Sequence, residues 1–323
     1  MKQHHLIVYP NCSKGGVTSV IRGRAAAHPD QEFHAIFMYD KGGVNAFSDL
    51  ENVHIRIVRK DRIIRYLTHV MGKFDYATAS FLSCPDVFNE IQVSRTTRTD
   101  YEFHSSDLQV IQNELDNLKL DNADRIVTPS EYMASQLRPM VAKHLQLKVA
   151  VEPNLVDTSI FCAQDEDSTR TDSSHRIPLV WVGRFDKGKG YRYFLRMLRS
   201  LPDNYYGIMV ASFEQGPERA AEFLGEAAYD RVDDRIQLLL NQPQIEMARI
   251  YREAAAAGGA LVSTSLLESF GYTVAEALEC GLPVAAFDLP ALRERGASPG
   301  KIRFADIGDV QELRDAVRFV TNR

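Results

Sequence analysis

Short apolar runs alternate with segments of helical periodicity along this chain, and that alternation restricts it to parallel sheets covered by helices. Strands are predicted at residues 6–9, 33–38, 53–58, 76–81, 125–128 and 148–151 in the first half. The second half supplies 179–182, 206–211, 235–239, 259–263 and 283–286. Between the halves, residues 163–174 are polar, charged and poor in apolar side chains, so they have too little to bury and read as a linker. The expected organisation is α/β throughout: one domain at 1–160, a polar linker at 161–177 and a second domain at 178–323. A length of 323 residues with 45% hydrophobic content suits two domains of ordinary size.

Charge and cysteine usage narrow the function classes. A net charge of -5 gives no electrostatic footprint for general nucleic-acid binding. Cys12, Cys84, Cys162 and Cys280 are widely scattered with no C-x-x-C pair, which reads as reduced thiols in a cytosolic protein. No signal peptide or membrane-spanning run is evident, so a soluble protein is expected, at most peripheral to a membrane. His4 and His5 are adjacent, but no cluster of metal-ligating residues accompanies them, so no metal site is predicted.

The residues richest in chemistry lie in the run Glu268-Ser-Phe-Gly-Tyr-Thr-Val-Ala-Glu276, two carboxylates bracketing a turn that opens a helix. A helix N-terminus presents unpaired backbone N–H groups to an anion, while carboxylates accept hydrogen bonds from hydroxyls. Together they suit a sugar joined to a nucleotide, with Ser269, Phe270, Gly271 and Tyr272 supplying the backbone between the two glutamates. Thr273 to Glu276 also fits a capping box, in which Glu276 does no more than satisfy a helix amide.

A second block, residues 178–191, runs from an apolar strand through Gly183, Arg184, Lys187, Gly188, Lys189 and Gly190 into a helix. Glycines permit close backbone approach, and Arg184 and Lys189 place two cations where a diphosphate would lie. Open α/β sheets bind ligands at such strand ends. Gly183 to Lys189 also fits the G-x-x-x-x-G-K of a phosphate loop, yet Gly190 stands where that loop needs Ser or Thr to hold magnesium. A solvated basic turn is the plainer alternative.

Taken together, these blocks resemble the donor site of family 4 glycosyltransferases, retaining enzymes of the GT-B architecture, in which two Rossmann-like domains face each other across a cleft. The likeness continues through residues 276–284, upstream at 122–132, at the hinge-like run 152–157 and at the glycine loop Lys14, Gly15 and Gly16 after the first strand. It is dense over residues 121–284 and sparse over 44–120. The resemblance implies a nucleotide-sugar donor as substrate, UDP- or GDP-linked, with no further cofactor. It also implies a hydroxyl acceptor on a glycan, a lipid-linked saccharide or a small molecule.

By resemblance, Glu268 contacts the sugar hydroxyls and Glu276 the ribose, and retention follows from front-face attack assisted by the leaving phosphate. Neutralising the departing diphosphate falls to Arg184, Lys189, the amides of Gly15 and Gly16 and the helix opening near Gly271. A phosphate-loop nucleotidase and a catalytically silent sugar-nucleotide-binding protein are the alternative readings.

The family often carries an N-terminal-domain histidine near the reacting sugar; His104, in a segment that follows a predicted strand, is the candidate for it on the acceptor side, or is simply a surface histidine. Residues 59–73 interleave basic and apolar side chains at helical spacing, fitting either contact with anionic lipid or a helix that covers a sheet and turns its charges to water. Four positions depart from the family pattern: Thr264 replaces a usual proline, Leu155 a glycine of the hinge, and Pro290 with Ala291 a glycine pair. The sequence stops at Arg323, soon after a helical pattern at 310–320, whereas relatives commonly continue into a helix that returns to the first domain. A compact or shortened enzyme with looser domain closure is the expectation.

Overall fold

The computed structural model describes residues 2–13, 15–163, 176–211, 217–294 and 301–321. Most of the expected linker, residues 164–175, and Lys14 of the glycine loop lie outside the described residues. The chain divides into two compact units, Met1–Asp157 and Thr158–Arg323.

The first unit is a parallel sheet of β1 (His4–Cys12), β2 (Glu32–Asp40), β3 (Val53–Ile57), β4 (Tyr76–Leu82), β5 (Arg98–Glu102), β6 (Arg125–Thr128) and β7 (Val149–Val151), ordered β3-β2-β1-β4-β5-β6-β7. Its helices are α1 (Gly16–Ala27), α2 (Ile63–Met71), α3 (Pro85–Glu90), α4 (Leu108–Leu115) and α5 (Glu131–Leu137). Winding reverses between β1 and β4, and both faces of β1 are buried: Leu6 and Val8 in one apolar cluster, Ile7 in the other. The helix α2 buries Ile63, Leu67 and Val70 in the cluster that holds Leu6 and Phe81, while Arg59, Lys60, Arg62 and Arg65 are exposed. Its apolar stripe therefore covers the sheet.

The strand β5 escaped the sequence reading because its buried side chains are charged. Asp100 and Glu102 are each 1% exposed. Arg125 donates to both oxygens of Asp100 at 3.1 and 2.7 Å, and Arg24 of α1 grips both oxygens of Glu102 at 2.9 and 2.8 Å. Buried carboxylates survive only when paired in this way, and such a strand carries no apolar alternation to read.

The hinge-like run 152–157 is tied to the first unit by the same chemistry. Glu152 accepts from Arg125 at 2.6 Å and lies 3.5 Å from Arg24, while Asp157 lies 3.0 Å from Arg22, with both side chains of that pair 3% exposed. Arg22 also forks onto Asp49. At Gly23 of α1 a Cβ would fall 2.0 Å from the Leu155 carbonyl oxygen, so only glycine lets the helix lie against this run.

The second unit is a parallel sheet of β8 (Ile177–Val182), β9 (Tyr205–Ala211), β10 (Ile236–Leu240), β11 (Ala260–Ser263), β12 (Val284–Phe287) and β13 (Ile302–Ala305), ordered β10-β9-β8-β11-β12-β13. The helices are α6 (Tyr191–Arg199), α7 (Pro217–Tyr229), α8 (Gln244–Ala256), α9 (Tyr272–Glu279), α10 (Pro290–Arg293) and α11 (Val310–Thr321). Winding reverses between β8 and β11, so the loops leaving those two strands emerge side by side. The edge strand β13, four residues paired only to β12, is too short for its pattern to separate from a loop. Among the described residues no helix is long and apolar enough to cross a membrane.

Candidate functional site

The two loops at the reversal point of the second sheet are fastened to one another. Trp181 of β8 donates its indole N–H to Thr264 Oγ1 at 2.9 Å, and that hydroxyl donates to the Lys189 carbonyl at 2.9 Å. The Leu266 amide donates to the Gly188 carbonyl at 2.8 Å. Asp186 completes the arrangement by accepting from the Lys189 amide at 2.9 Å and from Arg184 Nε at 2.7 Å. Burial would raise the Asp186 carboxyl, but the hydrogen bonds from Arg184 and from the Lys189 amide outweigh it and hold the group below its ordinary value.

This clasp explains the glycines. A Cβ at Gly190, whose φ is +63°, would lie 2.3 Å from the Thr264 carbonyl oxygen, and one at Gly183 would lie 2.9 Å from the Trp181 ring and 3.1 Å from Lys189. At both positions glycine lets the loops pack on each other and turn into α6. Gly190 is the left-handed N-cap of α6 and offers no hydroxyl where a phosphate loop would hold magnesium.

One cation and one carboxylate meet there. Lys189 Nζ lies 2.5 Å from Glu268 Oε1, with the side chains 26% and 12% exposed. Arg184, by contrast, is 55% exposed and pairs within its own loop. Three residues after Glu268, Gly271 takes φ +79° and caps α9 without a side-chain hydrogen bond, and no acidic residue occupies that helix's first turn. The first turn of α9 therefore carries no acid of its own to offset the positive end of the helix.

Because α9 begins at Tyr272, Thr273 lies inside it, and the capping-box reading of Glu276 does not hold. Glu276 sits in the second turn, 8% exposed. The Tyr251 hydroxyl of α8 is pushed well above its ordinary value, first by burial and then by the Glu276 charge. Phe270 is buried and packs on Tyr272 with ring centroids 4.8 Å apart, whereas Ser269 and Tyr272 are half-buried. A Cβ at Gly271 would lie 2.2 Å from Leu292 Cδ2, which places α10, with its Pro290 and Ala291, directly against the turn.

In the first unit, Gly15 caps α1 without a side-chain bond, and a Cβ on Gly16 would meet nothing within 4 Å. Both glycines are exposed, and the first turn of α1 contains no acid. His104 is not a surface histidine: its side chain is 9% exposed and its Nε2 lies 2.9 Å from Glu102. Burial would raise the Glu102 carboxyl, but the Arg24 charge and hydrogen bonds from His104 and Arg24 hold it well below the usual range. Sequence reasoning missed Arg24, Glu102, Asp186 and the role of Thr264, whose only signal was its departure from proline.

The histidines near the N-terminus are partnered within the sheet, His4 Nδ1 with His34 Nε2 at 3.1 Å and His5 Nδ1 with Thr78 at 2.8 Å. Burial, then the neighbouring His54 and His4, lower His34 to about 4. Among the described residues no three His, Cys, Asp or Glu side chains are grouped to hold a metal ion.

Residues 176–322 match the family described as glycosyl transferases group 1. Over 138 residues the chain is 28% identical to a probable sucrose-phosphate synthase of Thermosipho melanesiensis, covering 42% of this chain and 31% of that protein. The chain thus spans about a third of the length of this curated relative. Among solved structures, HepE of Anabaena in complex with UDP and glucose superposes with a TM-score of 0.78 at 14% identity, covering 97% of this chain and 88% of that one. A sucrose-phosphate synthase of Thermosynechococcus elongatus gives a TM-score of 0.78 at 17% identity, covering 99% of this chain and 90% of that one. With its two parallel-sheet Rossmann-like units the chain has the GT-B fold of these solved structures, and its C-terminal unit carries the sequence of the glycosyl transferases group 1 family.

Proposed function

We propose that the protein is a retaining glycosyltransferase that moves a sugar from a nucleoside diphosphate sugar, UDP- or GDP-linked, to a hydroxyl of a glycan, lipid-linked saccharide or small-molecule acceptor. One observation carries this reading: a cation, a hydroxyl-accepting carboxylate and a helix N-terminus with no acid in its first turn, namely Lys189, Glu268 and the Gly271 cap of α9, converge where the second sheet reverses its winding. Arg184, Lys189 and the α9 amides neutralise the departing diphosphate, Glu268 and Glu276 take the sugar and ribose hydroxyls, and Gly15, Gly16 and His104 act from the first unit. Positive charge supplied by the chain itself fits a metal-independent reaction. A cytoplasmic protein touching the inner face of a membrane through residues 59–73 fits the exposed Arg59, Lys60, Arg62, Arg65 and Lys73 beside the buried stripe of α2.

A thermal-shift panel of UDP-, GDP-, ADP- and dTDP-sugars tests the donor assignment, since a ligand that binds only the native state raises stability by mass action. Once the donor is found, Arg184→Ala and Lys189→Ala are expected to lower turnover about a hundredfold each, the usual effect of deleting one preorganised donor. A folded double variant that keeps its activity would refute the assignment.

A further inference from the structure

The Lys189 ammonium and the Glu268 carboxylate neutralise each other across two loops that cannot move apart independently. The backbone of Lys189 is held at its amide by Asp186 and at its carbonyl by Thr264, while Gly188 is held by the Leu266 amide two residues before Glu268. At 2.5 Å the pair leaves no room for a ligand atom between them. A diphosphate that draws the ammonium to itself therefore takes a donor away from a carboxylate only 12% exposed. Such a carboxylate recovers little from water and needs a replacement donor.

From this geometry we propose that the Lys189–Glu268 pair is a latch that distinguishes a nucleotide still carrying its sugar from the spent diphosphate. The inference deepens the donor-site reading above and rests on it. Sugar hydroxyls, each a donor, compensate Glu268 when the intact donor opens the pair. The spent nucleoside diphosphate keeps the negative charge that attracts Lys189 but has lost the hydroxyls, so Glu268 competes for its ammonium and favours release. Arg184 does not act in this way, because at 55% exposure its Asp186 partner is easily replaced by water.

The test measures binding of UDP, GDP, ADP and dTDP and their glucose conjugates by calorimetry, then carries the best-bound base into the variants. Glu268→Gln keeps the shape but frees Lys189. It should bind the bare diphosphate about fivefold more tightly, the scale of one partly buried ion pair, and the sugar conjugate more weakly than the parent protein. In a Lys189→Met background the same change should no longer tighten diphosphate binding. Melting curves check that each variant is folded, and Glu268→Ala provides a second removal of the charge.

Diphosphate binding that is unchanged or weaker in both folded Glu268 variants overturns the latch while leaving the donor site standing. Tightening that persists without Lys189 also overturns it, because the effect is then general repulsion rather than the pair. A parent protein that binds none of the nucleotides or their conjugates overturns the donor-site reading and the latch together.

Discussion

Replacing Thr264 with valine removes one hydroxyl and leaves the volume nearly unchanged, so its cost comes from hydrogen bonding rather than from a cavity. Thr264 and Trp181 are each 1% exposed, and the indole N–H has the Thr264 hydroxyl as its partner at 2.9 Å. Losing that partner strands a buried donor at about 1–3 kcal/mol. The Lys189 carbonyl loses a second bond of 2.9 Å in half-buried surroundings, a smaller penalty of about 1 kcal/mol. The sum is about 2–4 kcal/mol. Trp181 is the chain's single tryptophan and lies in the second unit, so its fluorescence during urea unfolding reports on that unit alone. Thr264→Val should lower the extrapolated stability by this amount. Thr264→Ser, which keeps the hydroxyl and loses one methyl, should cost about 1 kcal/mol. Serine and valine variants of equal stability, or a valine variant within about 0.5 kcal/mol of the parent, a margin typical of neutral surface changes, would refute the clasp.

Two further perturbations probe the glycine turn and the buried charges. Gly271→Ala forces a side chain into the left-handed region and into Leu292, and should cost about 2–4 kcal/mol in urea midpoints. Asn tolerates that backbone but also carries a Cβ, so Gly271→Asn should be nearly as damaging; a benign Asn would show that the Leu292 contact does not matter. Glu102 is held below its ordinary 4.5, so it contributes stability at neutral pH that is lost as pH falls through its depressed folded value. Arg24→Met should therefore cost about 3–5 kcal/mol at pH 7. The loss should shrink on acidification, because Glu102 of the variant, freed of Arg24, takes up a proton before the parent's Glu102 does, and a penalty that stays constant or grows would contradict the pairing.

The sheets were legible because their strands are apolar runs buried on both faces, as at residues 179–182 and 259–263. β5 was not, since Asp100 and Glu102 are stabilised by guanidinium groups from distant elements that no local pattern reveals. In the site, residue types were legible but their partners were not. Lys189 and Glu268 read as separate ligand contacts, because nothing in a linear spacing shows that the loops after β8 and β11 emerge beside each other and pair. The glycines were read for ligand approach, whereas contacts with Thr264, Trp181 and Leu292 explain three of them. His104 was read as exposed or reactive, and neither reading included the carboxylate beneath it. Each miss concerns a long-range contact, which topology sets and short motifs do not encode.

The anchoring of residues 152–157 bears on how this chain can be taken apart. Asp157 helps neutralise Arg22, which is 2% exposed, and Glu152 is shared between Arg24 and Arg125. A fragment ended just after β7 would strip carboxylate partners from three arginines of the remaining piece. Ending it after Asp157 keeps every one of those pairs on the same side of the cut, so that peptide bond is where a division leaves these buried charges partnered.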